Sequence, residues 1–355
     1  MTFRTKVTLQ DIADKCGIGK STAAFILNGT ADRVRISQAL CEKVLKTAAE
    51  MGYRHNELAS AVRSGKTKVI AYVSGSRLST TYTMRIIAGI NDFLNQNGYT
   101  MKMLVHDPED RPDAVVDKIL SNMIAGVILD MNPAPAEKLK RELERHGVKT
   151  AFPKFAEFPE PVIQAWSDDA SGAAADQFYR LGHRRIGIVC VDNPEIIKLK
   201  RDSFLRRLGE LGLKNDESVS LSISRTDSWN SGDAEKVASF LRRPDRPTAV
   251  FGESDPIALR FLQYACQTGY RVPDDISIIG YADLDYTRFS NPPLSTFHIP
   301  FEEIGFKTAE LLTGALQGKL SGKESVLLPV TYVERMSTKP FPGPDGTEDR
   351  TSHSS

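Results

Sequence analysis

Lys20, Ser21, Thr22 and Phe25 are the residues of this 355-residue chain whose types and spacing point most directly to chemistry. They stand in KSTAAFILN, immediately after Gly19. At helical spacing Ala23, Ile26 and Leu27 share one face, which leaves Lys20, Ser21, Thr22 and Phe25 on or near the other. A short helix presenting small, polar and basic side chains from its first turn is what the major groove of DNA admits. Lys20 and Ser21 can hydrogen-bond to base edges, whereas Phe25 offers only apolar contact, for instance with a thymine methyl. The alternative for Phe25 is a partly buried aromatic in a small helical core.

Positioning such a helix requires partners, and the flanking sequence supplies them. In VTLQDIADKCGIGKSTAAFILNGT (Val7 to Thr30), Thr8 precedes the apolar series Leu9, Ile12 and Ala13, with Asp11 in the first turn, as in a capped helix start. The run Cys16 to Gly19 breaks that helix. Ser37 opens a third amphipathic helix with Leu40, Val44, Leu45 and Ala48 on one face, and Gly52 stops it. Charge supports a nucleic-acid module over a plain helical hairpin. Residues 1–68 hold 12 Lys and Arg against 6 Asp and Glu, while the remaining 287 hold 34 against 39. A net charge of +1 therefore conceals a basic head on a mildly acidic body.

After the third helix comes YRHNELASAVRSGKTKVIAYV, and here the chain resembles the lac-repressor (LacI/GalR) family of transcription regulators. That family carries V-T-L-x-D-[IV]-A, then a recognition helix ending in L-N, a third helix ending in G-Y, and N-x-x-A-x-x-L in a hinge helix. Val7 to Ala13, Thr22, Leu27, Asn28, Gly52, Tyr53, Asn56 and Ala59 match, and the resemblance extends over roughly the first 335 residues. It implies that Lys20, Ser21 and Phe25 read bases. Thr8, Thr22, Asn28, Ser37, Tyr53 and Asn56 would hold phosphates and anchor the head, with Ala59 and Val62 in the hinge helix. Several positions depart from the pattern. Gly19 replaces a capping Ser and Ala24 another Ser, while Leu40-Cys41 replaces a Thr-Arg pair. Val62 replaces the Leu that wedges into the minor groove, and so presents less stacking area.

The body alternates short apolar runs with helical segments. KVIAYV (68–73), YTMKMLVHD (99–107), GVILDM (126–131), VKTAF (148–152), RIGIVCV (185–191), TAVFGES (248–254) and ISIIGYAD (276–283) read as strands. Helical patterns cover Met84 to Gln96, Asp168 to Leu181, Ser203 to Leu211, Asp233 to Leu241 and Pro256 to Thr268. Alternation of this kind predicts parallel sheets joined by right-handed crossovers, and some 270 residues suit two subdomains better than one. The expected architecture is an all-α helix-turn-helix head plus an α/β periplasmic-binding-protein-like core of two doubly wound parallel-sheet subdomains. The head spans 1–54, a hinge helix or linker 55–66, and an effector-binding and dimerisation core 67–336. Within the core the N-subdomain takes about 67–165 and 295–326, and the C-subdomain about 166–290 and 328–336. Chain crossings fall near 163–167, 287–297 and 325–330. The Pro/Gly/Ser-rich tail 337–355 is expected to be disordered.

In such a core a ligand sits at the carboxyl ends of strands from both halves. The resemblance implies effector contacts from Tyr82 and Phe301 as pocket aromatics, and from Arg201 in KLKRDSF. That arginine belongs to the family's R-x-x-G-[FW] pattern, with Ser203 in place of Gly. Ser254 and Asp255 match an A-N-D loop, and Asp168, Asp169 and Trp229 complete the set. Asp168 could instead only cap its helix. Asp255 could serve only the N-terminus of the helix that follows. Trp229 could be an ordinary core or surface aromatic. Ala282 stands where the family has Asp or Asn gripping a sugar hydroxyl; its loss leaves Arg201 less neutralised and favours an acidic effector such as a uronate or phosphorylated sugar.

Four cysteines lie far apart without C-x-x-C pairing, which indicates neither a zinc site nor a disulfide framework, and no cofactor or metal is expected. HRR at His183 to Arg185 reads as a structural turn before a strand. No apolar leader and no run of 18 apolar residues is present, so a soluble cytoplasmic protein is expected. A secreted sugar-binding protein would need a signal peptide and no basic head. A doubly wound enzyme would need a G-x-G-x-x-G or G-x-S-x-G motif or a nucleophile-base pair, and none is found. The expected partners are double-stranded operator DNA with pseudo-palindromic half-sites, a small carbohydrate-like effector and a second copy of the chain.

Overall fold

VIAYVSG over Val69–Gly75 (β1) buries five successive residues, as a strand must when helices cover both faces of its sheet. The computed structural model of the protein describes residues 7–28, 31–53, 67–75, 81–106, 112–153, 161–167, 170–191, 194–224 and 231–341. Contacts divide the chain into two units, Met1–Thr67 and Lys68–Ser355. In the first, α1 (Leu9–Cys16), α2 (Lys20–Leu27) and α3 (Gln38–Glu50) enclose a small core of Ile12, Cys16, Ile26, Val44 and Ala48. The expected hinge, with Asn56, Ala59 and Val62, lies outside the described residues.

The second unit holds two six-stranded sheets. One is built from β1, β2 (Thr100–His106), β3 (Gly126–Asp130), β4 (Lys149–Phe152), β5 (Ile163–Ser167) and, far along the chain, β11 (Ser325–Leu328), in the order β11-β5-β4-β3-β1-β2. The other runs β12-β10-β9-β8-β6-β7. It comprises β6 (Ile186–Val191), β7 (Ser220–Ile223), β8 (Ala249–Gly252), β9 (Ser277–Ala282), β10 (Ser295–His298) and β12 (Thr331–Val333). All pairings are parallel except that of β10 with β12. The helices between them are α4 (Thr81–Gln96), α5 (Pro112–Ser121), α6 (Pro133–Arg145), α7 (Ser171–Arg180), α8 (Pro194–Glu210), α9 (Ser231–Arg242), α10 (Asp255–Gln267) and α11 (Phe301–Leu316). The two doubly wound parallel-sheet subdomains read from the alternation are thus present.

The first two crossings fall just past their expected places, and the third falls at its own. Ile163–Ser167 is itself a strand of the first sheet, and Ser295–His298 pairs with Ile279–Ala282 of the second. The chain therefore passes between sheets after Ser167, after His298 and between Leu328 and Thr331. Residues 337–341, expected to be part of a disordered tail, are ordered. Ser337 is fully buried; its Oγ donates to Ile278 O (2.6 Å) and accepts from Ser295 N (2.8 Å), and Phe341 N donates to Leu181 O at 2.7 Å. Ser337 thus satisfies main-chain groups of both β9 and β10, and Phe341 is tied to the residue that ends α7. Positions 342–355 lie outside the described residues. His183 is structural, as expected. Its ring is buried between Thr248 Oγ1 (2.9 Å) and Lys339 O (3.2 Å), and burial pushes its pKa down to about 4.

One close contact fixes the first subdomain. A Cβ on Gly305 of α11 would fall 2.0 Å from Ile86 O of α4, and one on Gly89 of α4 would fall 1.8 Å from Glu302 O. The two helices touch backbone to backbone. Gly305→Ala is expected to lower unfolding free energy by about 1–3 kcal/mol, the usual cost of overpacking. A urea titration showing an unchanged midpoint would overturn that account.

Candidate nucleic-acid interface and ligand cleft

The head exposes the outer face of its second helix. Thr8 Oγ1 accepts from Asp11 N (3.3 Å) while Asp11 Oδ2 accepts from Thr8 N (2.8 Å), a capping box that fixes the start of α1. Gly17 ends α1 at φ 71°, where a side chain would be strained. Lys43 Nζ of α3 donates to Cys16 O (3.3 Å), tying a cation to the C-terminus of α1. On α2 only Ala23 and Ile26 are buried; Lys20 and Ser21 are exposed and Thr22 is half-buried.

Phe25 is 40% exposed and lies outside the head's core cluster. Asn28 and Ser37 are exposed too, whereas Tyr53 packs against the core. Gly19 gives α2 no side-chain cap. Leu40 and Cys41 pack inward, so the positions of the lost Thr-Arg pair serve the core instead.

In the second unit the carboxyl ends of both sheets meet along a seam. Arg85 of α4, the helix after β1, donates to Asp285 Oδ1 (2.6 Å) and Asp283 O (3.4 Å), just past the end of β9. Tyr281 of β9 packs against core clusters of both subdomains. Ala282 and Asp283 follow at φ 128° and 54°, an unfavourable pair of angles for residues with side chains. Asp283 is held by Arg335 and by His298 Nδ1 (3.1 Å).

The predicted ligand residues divide in this setting. Tyr82 and Phe301 come together as stacked rings 5.4 Å apart. Ser254 is the half-buried N-cap of α10 and makes no side-chain cap bond. Asp255 is fully buried and occupied: Oδ2 accepts from Leu284 N (2.8 Å) and Oδ1 from Thr296 Oγ1 (2.6 Å). Burial pushes its pKa up to about 6, against those hydrogen bonds. Arg201 lies on α8 with its side chain 29% exposed and Asp202 3.7 Å away. Asp168, Asp169 and Trp229 lie outside the described residues. The segment bearing Trp229 is anchored where its flanks are described: Asp233 Oδ2 accepts from Ser224 N (3.0 Å), and Arg260 Nη1 donates to Ser224 O (3.1 Å).

Three further residues stand at or beside the carboxyl ends of the sheets. Lys200 Nζ donates to Glu253 O (2.8 Å) and sits 3.8 Å over the Tyr281 ring. Its signal was in the sequence: counted back from Ser203-Phe204, the R-x-x-G-[FW] spacing falls on Lys200, one residue before Arg201. Glu253 and Asp130 are 4% and 5% exposed, and each closes an otherwise apolar run at the carboxyl end of its strand. A charge at that position is itself a site signal, because parallel strands deliver it to the sheet's functional edge. Tyr72 Oη donates to Asp130 Oδ2, and burial together with that carboxylate raises the tyrosine's pKa. Among the described residues no group of His, Cys, Asp or Glu could hold a metal ion.

Residues 8–56 match the family described as bacterial regulatory proteins, lacI family, and residues 175–338 match the periplasmic binding protein-like domain. The HTH-type transcriptional repressor CytR of Escherichia coli (strain K12) is 28% identical over 345 residues, 95% of this chain and 98% of that protein. Catabolite control protein A of Priestia megaterium is 25% identical over 338 residues, 94% of this chain and 99% of that protein. The crystal structure of the lac repressor dimer bound to operator and the anti-inducer ONPF is similar in fold. Its TM-score is 0.79 at 21% identity, over 94% of this chain and 100% of that one.

Proposed function

The chain belongs to the lacI family of bacterial regulatory proteins, and from that premise we propose that it represses transcription by binding a two-half-site operator under the control of a small carbohydrate-like effector. The observation that carries this reading is the outer face of α2, where Lys20, Ser21 and Phe25 are exposed and lie outside the head's core cluster. A 40% exposed phenylalanine beside a lysine and a serine is poorly spent on water and well suited to a groove. Lys20, Ser21 and Phe25 read bases; Thr8, Thr22, Asn28, Ser37, Tyr53 and Asn56 set register on phosphates, and Ala59 and Val62 enter the minor groove. A second copy supplies the second head. The protein acts in the cytoplasm as a regulator and not as an enzyme. Among its described residues no helix is long and apolar enough to cross a membrane.

The effector occupies the seam. Tyr82 and Phe301 offer an aromatic wall, and Ser254, Arg201 and Lys200 offer donors. The family resemblance adds Asp168, Asp169 and Trp229, while Asp255 shapes the wall by pinning the backbone at Leu284. Selection of bound DNA fragments with and without a panel of sugars tests operator and effector together. Recovery of no enriched sequence would overturn the reading.

Base reading and anchoring separate by mutation. Lys20→Ala and Ser21→Ala are each expected to change preference at one base pair by about 1–3 kcal/mol. Removal of a phosphate-facing residue should weaken all sequences alike and reduce the salt slope. Competition titrations on operator and random DNA decide it. An equal loss on both for Lys20→Ala would move that lysine to the phosphates.

A further inference from the structure

We propose that Arg85 is a two-position latch, shared between Asp285 of the second subdomain and Glu302 of its own, and that its choice sets how the subdomains are inclined. It rests on the regulator reading and adds to it a residue through which operator affinity is tuned.

The two carboxylates belong to different bodies. Arg85 Nη2 donates to Asp285 Oδ1 (2.6 Å) and Nη1 to Asp283 O (3.4 Å), while Nε lies 3.6 Å from Glu302 Oε1. Glu302 moves with Arg85, because α4 and α11 touch backbone to backbone at Gly89 and Gly305. The edge-on rings of Phe93 and Phe306, 5.0 Å apart, join the same two helices again. Asp285 is tied to the second sheet instead. Just before it, Leu284 N donates to Asp255 (2.8 Å), and Arg335 pairs with Asp283. Arg85 is therefore joined to one partner that turns with it and to one that does not.

The packing beside the latch leaves the inclination free. The Leu284 side chain is buried in the core cluster of the first subdomain, although its amide is held from the second. An apolar contact has no preferred direction and tolerates rotation, whereas a hydrogen-bonded ion pair fixes distance and angle. Release of Asp285 leaves the guanidinium beside Glu302, so the second position is not an unpaired cation. The two carboxylates are 70% and 54% exposed, which keeps both positions close in energy. Tyr82 stands three residues before Arg85 and Phe301 one before Glu302. An effector meeting those stacked rings acts on the same pair of helices and so shifts the balance.

The test reads hydrogen–deuterium exchange on segments 81–90 and 281–289 of the full-length protein. Neutralising the two carboxylates should act in opposite directions. Asp285→Asn is expected to speed exchange in both segments about two- to fivefold, the range of one exposed ion pair. Glu302→Gln leaves Arg85 wholly to Asp285 and should slow it by a similar factor. Arg85→Met combined with either variant should erase the difference between them. On duplexes enriched by DNA selection, the same two variants should shift operator affinity in opposite senses. A pair that only stabilised the fold would give losses of one sign. The latch is overturned if both variants move exchange the same way or not at all, if either shift survives Arg85→Met, or if operator affinity changes in one sense only. Failure of every variant and of wild type to enrich a duplex would overturn the regulator reading, and exchange would still decide the latch.

Discussion

A duplex carrying two inverted half-sites is expected to bind this protein about 10²–10⁴-fold more tightly than a duplex carrying one, because the second head then binds at a high effective concentration. The magnitude follows from how little one head offers. Its α2 has eight residues, about 12 Å of helix, and its outer face presents Lys20, Ser21 and Phe25. At about 1–3 kcal/mol per good base contact, such a helix falls short of the affinities of order 10⁻⁸ M and tighter typical of specific sites. Two copies related by a two-fold axis would supply the rest. The second unit has apolar surface suited to that pairing: Phe289 is 85% exposed, and Tyr286 and Met84 are 38% and 50% exposed beside the Arg85–Asp285 bridge. Phe289→Asp should bring both duplexes to the same weak affinity. Gel-shift titrations at one salt concentration, with mass measured at the binding concentration, check it. A monomer that distinguishes the two duplexes would overturn the dimer reading.

The head was legible because its signals are local. A cap at Thr8, a breaking Gly17 and apolar spacing at Ile12, Ile26 and Val44 each act within one helix, and the structure uses each of them. The core strands were legible where burial on both faces demands a continuous apolar run, as in β1, β3 and β6. Missed strands lack that run. STFH in β10 buries Ser295 and Thr296, whose hydroxyls meet Thr338 and Asp255. β11 and β12 bury only Leu328 of their side chains. Their pairing is decided by residues more than 30 positions away, which no window along the chain reports.

The ligand residues divide on the same line. Tyr82 and Phe301 were matched singly, but only the fold stacks them. Asp255 stands at the matched position, yet its carboxylate is committed to Leu284 and Thr296, partners 29 and 41 residues on. Lys200 was one residue from the position chosen, and its spacing to Phe204 was readable. Glu253 was visible as a charge ending TAVFGES. What the sequence could not show is that Val191 and Lys200 hold it in place.

Arg335→Ala is expected to lower unfolding free energy at pH 7 by about 3–5 kcal/mol, because it strips a buried carboxylate of its cation. Asp283 and Arg335 side chains are 7% and 12% exposed, and Arg335 Nη1 also donates to Leu294 O (2.7 Å) and Thr287 Oγ1 (3.1 Å). Burial alone would raise the Asp283 carboxyl, but the hydrogen bond and charge of Arg335, with help from His298, hold it below its ordinary 3.8. A depressed carboxylate contributes stability that is present above 3.8 and lost as pH falls through the folded-state value. The deficit of Arg335→Ala should therefore shrink in acid. Asp255 runs the other way: raised to about 6, it contributes stability that is full below 3.8 and lost as pH rises through about 6. It is present in both proteins and largely cancels from their difference. Asp283→Asn in the Arg335→Ala background should recover part of the loss, since a neutral amide tolerates burial without a cation. If the two losses simply added in urea titrations, the pair would not be the source of the effect. The same turn carries Asp285, which Arg85 grips from the other subdomain. A stability loss centred there should therefore also loosen the seam on which effector control depends.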